Sequence, residues 1–116
     1  MKFIPLSERF SVCKVADYSQ IDLACDHVFI GKTANENSLV CPVEKAPRNA
    51  TAREDGWKGF YVEGTLDFSL VGILAAISTA LAQKKIGIFA VSTYDTDYIF
   101  VKEENFAEAL KAVENL

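Results

Sequence analysis

Shifted by sixty residues, the chain lies over itself without a gap. FIGKTANENSLVC at 29–41 falls on FAVSTYDTDYIFV at 89–101. Phe29 meets Phe89 and Thr33 meets Thr93. The polar turns are of equal length, and apolar residues resume at Leu39/Ile99 and Val40/Phe100. Two apolar runs around a short polar turn read as a β-hairpin. A strand precedes each copy: Phe10 to Val15 alternates between apolar and polar, and its counterpart lies at 60–63. A repeat this long signals a duplicated supersecondary unit. The chain is expected to hold two β-α-β-β units in tandem, over residues 1–55 and 56–116, the first with a shrunken helix. A hairpin without a helix cannot cover its own sheet. The first unit is therefore expected to lend its strands to the second unit or to another chain.

The clearest helix is predicted over residues 69–84. Leu70, Ile73, Leu74, Ile77 and Leu81 form one stripe at the helical period. Asp67 or Ser69 suits its N-cap, and Lys84 and Lys85 suit the negative end of its dipole. A second helix is predicted over 103–115, with Phe106, Leu110 and Val113 on one face. Residues 17–24 allow two helical turns at most. Pro42 and Pro47 break the chain, and 44–56 reads as a polar loop. From Trp57 on, the order is β-α-β-β-α. That predicts an α+β, ferredoxin-like sandwich: an antiparallel sheet with two main helices on one face.

Several function classes are excluded. The formal net charge is −4, so no nucleic-acid partner is expected, nor an anionic membrane surface. The longest apolar stretch, 70–82, is too short to span a bilayer. With no signal-peptide pattern at the N-terminus, a cytoplasmic location is expected. Three dispersed cysteines, Cys13, Cys25 and Cys41, and one histidine, His27, provide no metal-ligand spacing. They read as structural groups. No nucleophile motif or phosphate-cradling loop is present, so neither catalytic residues nor a cofactor is expected. The aromatic residues Phe60, Tyr61, Phe89 and Phe100 read as packing, not as an RNA-stacking surface.

Two places carry candidate binding chemistry. The helix start at 66–73 offers free N–H groups and partial positive charge, a site for a carboxylate. Gly72 there either admits a close ligand or permits tight helix–sheet packing. The second place is STYDTDYIF at 92–100. On an extended segment Asp95 and Asp97 point the same way, suited to an ammonium or guanidinium group beside the Thr93 and Thr96 hydroxyls. Equally, Asp and Thr are common turn residues for their local hydrogen bonds. Glu36, Asn37 and Ser38 in the first copy read as an ordinary turn.

The segments TANENSLVCP, EDGWKGFYVEG, LDFSLVGILAAIS and IGIFAVSTYDTDYIFVKEENFAEAL resemble the small ACT-domain family, both its stand-alone bacterial members and the modules of cytosolic arginine sensors. The resemblance runs from Phe10 to the C-terminus. It implies a β-α-β-β-α-β regulatory module that binds an amino acid or similar small ligand and pairs into a dimer. The ligand contacts it implies fall on Leu70, Gly72, Ile73, Thr93, Tyr94 and Asp97. The arginine sensors carry an acidic residue where this chain has Leu70, which speaks against arginine itself. The alternative is a ligand-free pairing module of the same fold.

Overall fold

The computed structural model describes residues 1–64 and 71–116. The chain divides into two compact units, Glu8–Trp57 and the pair of segments Met1–Ser7 and Lys58–Leu116. Its strands are β1 (Phe3–Pro5), β2 (Phe10–Val15), β3 (Phe29–Lys32), β4 (Asn37–Pro42), β5 (Ala50–Val62), β6 (Ile88–Ser92) and β7 (Asp97–Lys102). Its helices are α1 (Ile73–Gln83) and α2 (Phe106–Val113). The long strand β5 gives its first part to one unit and its end to the other.

In the larger unit the strands stand in the order β1-β5-β7-β6. β1 pairs antiparallel with the end of β5, Phe3 opposite Val62 and Pro5 opposite Phe60. β6 and β7 form the expected hairpin, Ile88 opposite Val101 through Ser92 opposite Asp97. Thr96 sits beside Val62, and Ile99 and Phe100 beside Gly59, so β5 and β7 run in opposite directions. Side chains alternate across a strand. Phe60, Val62, Ile99 and Val101 face the helices and pack with Ile77, Leu81, Ala109 and Val113 into one core. This is the α+β ferredoxin-like arrangement, with both helices on one face. Its fourth strand, however, is the N-terminal Phe3–Pro5. Three residues ending in proline gave no strand signal in the sequence.

The two helices differ at their ends from expectation. α1 begins at Ile73, and residues 69 and 70 of the predicted helix lie outside the described residues, as do the predicted caps Asp67 and Ser69. The α1 C-terminus closes with two hydrogen bonds, Lys85 N to Ala82 O at 2.9 Å and Ile86 N to Leu81 O at 3.0 Å. Leu81 and Ile86 are buried together in the core. This closure needs a left-handed residue, normally glycine, and here Lys85 takes it at φ 59. Lys85→Gly is expected to raise the unfolding free energy by about 1 kcal/mol, measured by urea denaturation. The second helix opens with a 3-10 turn, Glu103–Asn105, before α2.

In the smaller unit the order is β3-β4-β2-β5. β3 and β4 pair from Phe29 opposite Val40 to Lys32 opposite Asn37. A 3-10 turn, Val43–Lys45, follows β4. Residues 44–56 are not the predicted loop, because β5 begins at Ala50 and pairs with β2. The stretch Thr51 to Asp55 is polar and exposed. It pairs with β2, and that backbone pairing makes a strand without an apolar alternation to announce it. Residues 17–24 form hydrogen-bonded turns, not a helix. They bring Tyr18 and Ile21, with Val28, onto Cys13, Val15, Leu39 and Cys41. This loop thus covers a sheet face that the sequence led us to expect bare. Cys13 and Cys41 are buried, and burial pushes the Cys41 thiol up to about 12. That thiol is inert.

His27 Nδ1 lies 3.0 Å from Glu8 Oε2 in this unit. Burial pulls the Glu8 carboxyl up. The His27 hydrogen bond, the Glu8 backbone and the His27 charge outweigh it and hold the carboxyl below its ordinary value. A carboxyl lowered on folding stabilises above its unfolded pKa, and that stability is lost as pH falls through the folded value. Both side chains are partly solvated, so the effect is about 0.5 kcal/mol. His27→Ala should flatten the acid limb between roughly pH 5 and 3 in urea midpoints measured against pH.

Candidate functional site

The hairpin tip between β6 and β7 is built by one threonine. Thr93 N donates to Thr96 O at 2.8 Å, Thr93 Oγ1 to the same carbonyl at 3.1 Å, and Thr96 N to Thr93 Oγ1 at 3.3 Å. Thr96 is buried. Its hydroxyl donates to Val62 O at 2.8 Å, which fastens the tip to the end of β5. From there the chain leads toward α1. The linker at 84–87 ties the α1 C-terminus to Ile88, the end of β6 far from the tip. Eleven helical residues span about 16 Å, so α1 starts back at the tip's end of the unit.

Asp97 shares a sheet face with Ile99 and Val101 by strand alternation, the face the helices cover. Ser92, its partner across the hairpin, donates from Oγ to Asp97 Oδ1 at 2.6 Å. The other carboxylate oxygen, Oδ2, takes no hydrogen bond among the described residues. Asp95 is in the turn, exposed, and not on an extended segment with Asp97. The predicted pair of aligned carboxylates is therefore one carboxylate, because the strand begins only at Asp97.

At the helix start, Gly72 has φ 84. A Cβ there would meet none of the described residues within 4 Å. The left-handed backbone is itself a reason for glycine at this position. No side chain among the described residues caps α1. Its first N–H groups, from Ile73 on, have no intrahelical acceptor. The Ile73 side chain packs against the core, which leaves its backbone N–H as the group it presents. Val71, 93% exposed, and Tyr94, 80% exposed, add apolar surface at the same end of the unit. Leu70 lies outside the described residues. Ser92 was missed in the sequence, although a serine before and an aspartate after a hairpin turn signal a cross-strand pair. A groove of about 360 Å³ lies elsewhere, lined by Met1, Lys2, Phe3, Pro5, Leu110 and Glu114. None of the hairpin residues touches it.

Among the described residues no group of His, Cys, Asp or Glu could hold a metal ion, and no helix is long and apolar enough to cross a membrane. No curated protein matches the sequence. Among solved structures, protein Atu0741 from Agrobacterium tumefaciens is similar, with a TM-score of 0.81 and 26% identity over 97% of this chain and 86% of that one. Protein VC0802 from Vibrio cholerae, described as a protein of unknown function and possible transport protein, has a TM-score of 0.75 and 22% identity over 98% and 88%. The ligand-free regulatory subunit of aspartate kinase from Thermus thermophilus shares the fold at a TM-score of 0.67 and 11% identity, over 99% and 97%. The sequence model of the ACT domain, a regulatory module, matches residues 52–115. The chain belongs to the ACT-domain family.

Proposed function

We propose that this protein binds a free amino acid, or a small ligand like one, at the hairpin tip and helix start, and that binding regulates its assembly. The observation that carries this is the Asp97 carboxylate. One oxygen is fixed by Ser92 and the other takes no hydrogen bond among the described residues, at the end of the unit where α1 begins without a side-chain cap among those residues. An amino acid carries both charges. Its ammonium, or a cationic side chain, suits Asp97. Its carboxylate suits the N–H groups at Gly72 and Ile73, which have no intrahelical acceptor. Thr93 shapes the tip and Tyr94 covers the ligand's stem; Leu70, the remaining expected contact, lies outside the described residues. No residue is assigned a catalytic role, and no cofactor is invoked.

We further infer a tandem duplication from the repeat. The rungs Phe29–Val40, Ile30–Leu39, Gly31–Ser38 and Lys32–Asn37 recur as Phe89–Phe100, Ala90–Ile99, Val91–Tyr98 and Ser92–Asp97, each sixty residues on. The 3-10 turns after each hairpin, Val43–Lys45 and Glu103–Asn105, keep the same offset. Thr33 makes the turn bonds that Thr93 makes, accepting from Glu36 N at 3.2 Å. We read the chain as two ACT-like copies, in the halves 1–55 and 56–116, whose boundary falls inside β5. β6 is the outer strand of its unit, an edge open to a second copy of the chain. Ligand-linked dimerisation follows as a population shift.

The test is a thermal-shift screen against the twenty amino acids. A ligand at about ten times its dissociation constant adds about 1.4 kcal/mol, or several degrees for a domain this size. We expect one clear hit, absent in Asp97→Ala, whose unliganded melting temperature stays within about a degree of wild type. The pairing-module alternative rests on the open β6 edge alone and predicts a flat screen with a dimer retained.

A further inference from the structure

The two hairpins end in the same rung but carry opposite chemistry on it. In one the rung is Ser92 opposite Asp97; in the other it is Lys32 opposite Asn37. Ser92 donates to Asp97 Oδ1 at 2.6 Å, so that rung presents a negative charge with an oxygen to spare. Lys32 puts a positive charge on the matching rung. Asn37 Nδ2 donates to Ala16 O at 3.1 Å. The loop that carries Ala16 is itself tied down: Asn49 Nδ2 donates to Asp17 O and to Asp17 Oδ1, each at 3.1 Å. The chain's own backbone thus engages the Asn37 amide, whereas among the described residues only Ser92 hydrogen-bonds the Asp97 carboxylate.

We infer that this rung selects which copy takes a ligand. Ser92–Asp97 recognises a cationic ligand group. Lys32–Asn37 refuses it by like charge and by an amide already engaged with Ala16, so the chain binds one ligand, not two. The inference rests on the amino-acid reading above. Ser92 acts through Asp97 as a positioning residue: its hydroxyl fixes the carboxylate so that Oδ2 faces the ligand. Losing a hydrogen bond to a charged group costs about tenfold in affinity or more.

Native mass spectrometry of the full chain, with each of the twenty L-amino acids at millimolar concentration, counts what is bound. One adduct per chain is expected. It should vanish in Asp97→Asn, weaken about tenfold in Ser92→Ala, return in Ser92→Thr and persist in Asn37→Ala. Melting temperatures of the four variants separate binding loss from unfolding. Two adducts per chain, or one lost in Asn37→Ala and kept in Asp97→Asn, overturn the selection while amino-acid binding stands. Unchanged affinity in Ser92→Ala overturns the positioning role. No adduct with any of the twenty overturns the inference together with the site it rests on.

Discussion

Phe60→Ala should lower the unfolding free energy by about 3–5 kcal/mol, the range for deleting a fully buried aromatic ring. Phe60 is completely buried at the centre of the larger unit's core. Its ring meets Phe3 edge-on at a centroid distance of 5.6 Å and Phe106 at 6.4 Å. Phe3 is on β1 and Phe106 opens α2, so one ring joins the N-terminal strand to the second helix. Truncation leaves a cavity that neither backbone is free to fill. Urea denaturation with an unchanged m-value is the expected result; a loss under 1 kcal/mol would mean that β1 does not pack as described.

Gly59→Val should cost about 3 kcal/mol, the upper end for overpacking. A Cβ on Gly59 would stand 2.7 and 2.8 Å from two carbons of the Phe100 ring and 3.3 Å from Ile99 O. Phe100 is fully buried and stacks on Phe89 at 4.7 Å, with an interplanar angle of 11°. It cannot swing away cheaply. The strain at Gly59 is steric only, because its φ is not in the left-handed region. Pairing Gly59→Val with Phe100→Leu should therefore recover part of the loss, and the coupling is read by a double-mutant cycle.

The hairpins were legible because apolar runs of matched length bracket each polar turn, and the threonines at 33 and 93 sit where the turn needs a side-chain acceptor. The second helix was legible from Phe106, Leu110 and Val113. The first half of β5 was not, because Thr51 to Asp55 are held by backbone pairing with β2 and carry no apolar alternation of their own. β1 was not, because three residues carry no periodicity and its pairing depends on β5, far away in sequence. At the site, Asp97 and Thr93 were marked by resemblance as much as by chemistry. Asp95 was misplaced by assuming an extended turn. Ser92 is understood only through the rung it shares with Asp97. Gly72 read either as room for a ligand or as tight packing; its left-handed backbone is a further reason that needs a φ value to see.

The most direct test of the proposed site is amide chemical-shift mapping on the isotopically labelled protein, titrated with each of the twenty L-amino acids. The site described here predicts that one of them moves the resonances of Ser92 to Asp97 and of Gly72 and Ile73, and leaves Thr33 to Asn37 in place. Shifts confined to other residues, such as those lining the groove at Phe3 and Leu110, or no shifts with any of the twenty, would contradict it.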